Sequence, residues 1–76
     1  MQAVEKKLKD VQVGDVVVKV GTARHIQLEL NNPVKTKSYL DPTWIRLTLK
    51  GGAVIEGFPE DTVFVKEAAL RIRKIE

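Results

Sequence analysis

Residues 44–58, WIRLTLKGGAVIEGF, decide the fold. Ile45, Leu47 and Leu49 alternate with Trp44, Arg46, Thr48 and Lys50. A period of two gives an extended chain one apolar and one mixed face. Gly51-Gly52 supplies the positive φ angles of a two-residue turn. Ala53, Ile55 and Gly57 then alternate with Val54, Glu56 and Phe58. The segment is a hairpin with one apolar side. Gly57 marks a bulge or a close approach of neighbouring chain.

The flanking segments extend the pattern. Pro59-Glu60-Asp61 is a turn, and Thr62 to Val65 is a short strand with Val63 and Val65 on one face. Residues 68–75 read either as one helical turn followed by the strand of LRIRKIE, or as a helix through Ala68, Ala69, Ile72 and Ile75. Upstream, residues 31–43, NNPVKTKSYLDPT, have no period and are rich in turn-forming residues, so a long loop is expected. RHIQLEL, 24–30, alternates strictly and predicts a strand burying Ile26, Leu28 and Leu30. In VQVGDVVVKVG, 11–21, a Gly14-Asp15 turn precedes a valine-rich strand, which such a composition predicts to be covered on both faces. In residues 1–10, Val4 and Leu8 stand four apart, one turn of an amphipathic helix or a docked arm.

With 76 residues, one thin-cored domain is expected. The chain has no cysteine, which excludes disulfides and thiolate metal sites. It shows no signal-peptide or membrane-spanning pattern, and a cytoplasmic protein is the expectation. Net charge is +3. Residues 31–50 carry Lys35, Lys37, Arg46 and Lys50 against Asp41. Residues 51–65 carry Glu56, Glu60 and Asp61 with no base. The tail is basic again. The architecture these readings predict is mainly β: a small antiparallel barrel of five or six short strands over 13–76, preceded by a short N-terminal helix or arm over 1–10. Rolling the sheet on itself buries its apolar face and removes its edges.

The pieces VGDVVVKVG (13–21), RLTLKGGAVIEG (46–57) and VFVKEAALRIRKIE (63–76) resemble the SH3-like small barrels, including KOW and Tudor-type modules. That resemblance implies a binding module. The last piece is also similar to the SH3-like type II dihydrofolate reductases. Where that family has Val-Gln-Ile-Tyr in its active pore, this chain has Val63, Phe64, Val65 and Lys66, so the activity does not carry over. The arrangement of VGDVVVKVG, WIRLTLKGG and PEDTVFV is similar to small proteins of actinobacteria and their phages, which implies an accessory or host-interacting role.

Catalytic chemistry is sparse, and no catalytic residue, cofactor or metal site is assigned. His25, the one histidine, lacks the local signature that would bring Ser38 with Asp41 or Glu29 to it, and a surface histidine is the simpler reading. Glu60-Asp61 is explained by its turn, although paired carboxylates also serve acid–base chemistry. Neither zinc nor calcium ligand spacing is present. Gly51-Gly52 has no helix behind it to cradle a phosphate.

Two binding readings remain, with a small oligomeric enzyme a distant third. In the first, Tyr39, Trp44, Val54 and Phe58 form an apolar patch on the 31–44 loop and outer hairpin face, rimmed by Arg46 and Glu56. Such a patch contacts a cellular protein or a second copy of the chain. The competing structural reading buries it under Val4 and Leu8. In the second, Lys35, Lys37, Arg46 and Lys50 contact nucleic-acid phosphates while Tyr39 and Trp44 stack on bases. Against this, the rings would plug the core and the lysines would be merely solvated.

Overall fold

The computed structural model describes residues 3–27 and 30–67. Its strands are β1 (Val4–Lys7), β2 (Val16–Val20), β3 (Arg24–His25), β4 (Asn32–Asp41), β5 (Trp44–Leu49), β6 (Val54–Gly57) and β7 (Thr62–Lys66). They form one antiparallel sheet in the order β1-β7-β2-β4-β5-β6-β3. Among the described residues β1 and β3 are its edges, so these seven strands, where five or six were expected, do not close into the expected barrel. Linking chain ties the edges in. The N–H groups of Gly21, Thr22 and Ala23 all donate to the Thr62 carbonyl at 3.1, 3.0 and 3.2 Å.

The hairpin forms as its alternation requires. Ile45, Leu47, Leu49, Ala53, Ile55 and Gly57 are buried. Leu47 stands opposite Ile55 and Thr48 opposite Val54. The turn, however, has three residues, Lys50-Gly51-Gly52. The Leu49 N–H donates to the Ala53 carbonyl at 2.8 Å, and both glycines have φ near +100° (103° and 104°), which a Cβ would penalise. An odd loop is what lets Leu49 and Ala53 face the same side. Gly57 is a close approach: a Cβ there would lie 2.7 Å from Asp61 Oδ2 and 2.9 Å from Leu8 Cδ1.

The core is wholly aliphatic. Leu8, Val11, Val17, Ala23, Val34, Ile45, Leu47, Leu49, Ala53, Ile55, Val63 and Val65 are buried in one cluster. None of the four aromatic residues belongs to it. Each fully buried Leu, Ile or Val contributes about 1.5–3 kcal/mol relative to exposure.

Further expectations are corrected. Residues 4–7 are a strand on β7, followed by a 3₁₀ turn over Leu8–Asp10, instead of a helix. One helical turn is not stable alone, whereas β7 offers a full edge. Leu8 enters the core, and its N–H donates to the Asp61 carbonyl at 2.7 Å. The strand also places Lys6 beside buried Asp15, 3.1 Å away, with Glu67 at 3.0 Å. Burial pulls the Lys6 pKa down, but bonds to Glu67 and Asp15 outweigh it and the pKa is raised. The Gln12 N–H also donates to Asp15, at 3.0 Å, within the Gly14-Asp15 turn.

The expected loop of 31–43 is instead the longest strand, ten residues of β4. Its turn chemistry belongs to the ends. Asn31 has φ 70°, and Asp41 accepts from the Thr43 N–H and hydroxyl at 2.7 and 2.8 Å. Pro33 keeps its carbonyl in the ladder by accepting from Lys50 N–H at 2.9 Å. Finally, of the strand expected over 24–30, the described residues form strand at Arg24–His25 alone, and Ile26 is 65% exposed. β2 is not sandwiched under an N-terminal helix. Val17 is buried, while Val16, Val18 and Val20 are half-buried, with a bulge at Val18. The reading of 68–75 lies outside the described residues, as does that of Leu28.

Candidate interaction face

Cross-strand register builds the outer face of β5 and β6. Inner positions of β5 are buried, so Trp44, Arg46 and Thr48 face outward, opposite Phe58, Glu56 and Val54. The Trp44 and Phe58 rings meet edge to face, centroids 5.0 Å apart at 87°. Such a pair adds about 0.5–1.5 kcal/mol beyond its buried area. Phe58 remains 54% exposed. Glu56 joins the rows: it accepts from Trp44 Nε1–H at 3.1 Å and pairs with Arg46 Nε. The Trp44 bond first, and the Arg46 bond second, hold its carboxyl below the usual glutamate range. With both arms of Glu56 occupied, Trp44 is held in one orientation.

Val54 lies on this face as expected, and Ile26 joins it. Its N–H donates to the Val54 carbonyl at 2.8 Å, continuing the pairing of Arg24 with Glu56 and His25 with Ile55. Sequence reading missed Ile26 as a surface residue because strict alternation does not say which phase faces the core. Tyr39 does not join. It pairs with Ile45 and so lies on the opposite side of β4, 53% exposed. The N-terminal segment does not cover the patch: β1 lies beside β7, and Leu8 is in the core.

The six residues grouped for nucleic acid do not converge. Lys37 turns inward, its Nζ donating to the Lys9 and Val11 carbonyls at 2.8 and 2.9 Å. Burial pulls its pKa down, with Asp10 and Asp15 opposing. Its ammonium is 6.0 Å from the Tyr39 ring. Arg46 is paired with Glu56. Lys35 is the extra residue of a β4 bulge, and Lys50 is in the hairpin turn. Trp44 lies at the other end of β5, about 20 Å from Lys50 at strand rise.

His25 is exposed on β3, and Glu60 pairs with Lys7 and Lys9 at 2.8 and 3.0 Å. Asp61 accepts from Phe58 N–H at 2.8 Å, closing the turn. Among the described residues, no three His, Cys, Asp or Glu side chains gather as metal ligands, and no helix is long and apolar enough to cross a membrane. No protein-family model, curated protein or solved structure matches the chain.

Proposed function

We propose that this chain is a non-enzymatic binding module, acting in the cytoplasm, that docks a cellular protein on the outer face of β5 and β6. The observation that carries this reading is the Trp44–Phe58 ring pair, placed outside an all-aliphatic core with Phe58 54% exposed. Rings that the core does not use, fixed by Glu56 and flanked by Val54 and Ile26, are the residue types that anchor protein interfaces. Trp44 and Phe58 are the anchors, Val54 and Ile26 widen the apolar contact, and Arg46 and Glu56 form the polar rim. The accessory, host-interacting role implied by the phage-protein resemblance fits such a face. The finer architecture proposed is a single SH3-like unit. Its support is the consecutive run β2-β4-β5-β6 with β7 returning to pair with β2.

Trp44 is the chain's one tryptophan, so it reports on its own contact. Proteins retained from a nuclease-treated lysate by the wild type and lost by Phe58→Asp are purified and titrated against the domain. The expected result is a blue shift of Trp44 emission that Phe58→Asp abolishes. Equal retention by Phe58→Asp, or binding without change at Trp44, overturns the reading.

A further inference from the structure

The register of the sheet assembles a second group of cations that chain order conceals. Lys66 pairs with Val16, Val16 with Pro33, and Pro33 accepts from the Lys50 N–H. This is one continuous row across β7, β2, β4 and the turn residue that follows β5. Its direction is fixed by its neighbours. Val65, Val17, Val34 and Leu49 are buried, so Lys66, Val16, Pro33 and Lys50 face outward. Lys19 stands opposite Phe64, which lies between buried Val63 and Val65, and so faces the same way. Lys35, the bulged residue two positions after Pro33, borders the other end.

All four lysines are exposed, and among the described residues none has a carboxylate within ion-pair distance. The other lysines of the first ten residues differ: Lys6, Lys7 and Lys9 each pair with an acid. Glu5, opposite Phe64, is the acid bordering the row, and it accepts from the Thr62 hydroxyl at 2.9 Å. At ordinary strand spacing the row from Lys66 to Lys50 spans about 15 Å along the sheet. Lys19 and Lys66 are diagonal neighbours, about 7–8 Å apart.

We infer that Lys19, Lys35, Lys50 and Lys66 form a contact surface for the phosphate backbone of a nucleic-acid duplex, without base readout. This surface is distinct from the Trp44–Phe58 face and goes beyond that proposal. Three observations select the occupant. Lysine is depleted at protein-interface centres, and the row holds neither arginine nor an open ring, which disfavours a protein. Single-strand binding needs rings for bases to stack on, yet the one ring here, Phe64, is half-buried with the Lys19 ammonium 5.4 Å from its centroid. Val16 and Pro33, the apolar members of the row, are half-buried and offer no wedge for insertion into a membrane. What remains is a line of point charges suited to phosphates.

The test is fluorescence anisotropy with a 20-base-pair labelled DNA duplex at rising salt. Four phosphate contacts give a log–log salt slope of about −3.6, or roughly 150-fold weaker binding between 50 and 200 mM salt. Lys50→Ala with Lys66→Ala should halve the slope to about −1.8. Lys7→Ala with Lys9→Ala, off the row, should leave it unchanged. Trp44 emission should not move when the duplex binds. Absence of duplex binding at 50 mM salt overturns the inference. So does an unchanged slope in the Lys50/Lys66 variant, tighter binding to a 20-nucleotide single strand, or binding to phosphatidylserine vesicles in place of the duplex. Because the readout at Trp44 differs, failure here leaves the protein-docking proposal standing, and the reverse.

Discussion

The two faces of the β5–β6 hairpin come from the same dozen residues and do opposite things. The inner face, Ile45, Leu47, Leu49, Ala53 and Ile55, is aliphatic and buried. The outer face holds the larger side chains, Trp44 and Phe58, yet leaves them partly in water. A small domain short of apolar area gains most by burying its largest rings. That it instead holds them outside, with Trp44 bonded to Glu56, is the separation of fold from recognition that the proposed docking face requires.

The sharpest break of that contrast is at the inner face. Leu47→Ala should cost about 2–5 kcal/mol, since the site is sealed on all sides. Total stability for this length is about 4–11 kcal/mol, so a large share is lost and urea denaturation should show a much lower midpoint. Gly57→Ala should cost about 1–3 kcal/mol by overpacking against Asp61 and Leu8, read as a lower urea midpoint with an unchanged slope. Asp15→Ala leaves Lys6 and the Gln12 N–H without a shared acceptor and should cost about 1–3 kcal/mol. Phe58→Ala, on the outer face, should cost no more than about 1 kcal/mol in stability while abolishing the emission shift of Trp44 on partner binding.

The smallest effect concerns pH. The Glu56 pKa is lowered in the folded state, by Trp44 first and Arg46 second. Its stabilisation is therefore present above the unfolded glutamate value of about 4.3 and fades as pH falls through the folded value. Glu56→Gln should flatten that part of the acid-denaturation profile by lowering the neutral-pH stability toward the acid value while leaving the acid end nearly unchanged, as thermal melts across pH 3–7 would measure.

Sequence revealed the hairpin because one buried face stamps period two on it, and β7 for the same reason. β4 was opaque because, beyond Val34, only β5 pairs with it and its side chains are mostly exposed, so no alternation is written there. Turn formers at both of its ends looked like one continuous loop. Val4 and Leu8 read as a helical stripe, although a neighbouring strand distant in sequence supplied the hydrogen bonds. For the outer face, Trp44, Val54 and Phe58 were legible from alternation alone. Tyr39 was misgrouped and Ile26 missed because their faces depend on register, which local pattern does not encode. The row of Lys19, Lys35, Lys50 and Lys66 is likewise a product of strand order, since its members are spread over almost fifty positions.

The most direct measurement is equilibrium urea denaturation of Trp44→Ala alongside Leu47→Ala. If the rings serve recognition, Trp44→Ala stays folded and loses about 1–2 kcal/mol, well short of Leu47→Ala. Loss from Trp44→Ala as large as that from Leu47→Ala would make the ring part of the core and contradict the account.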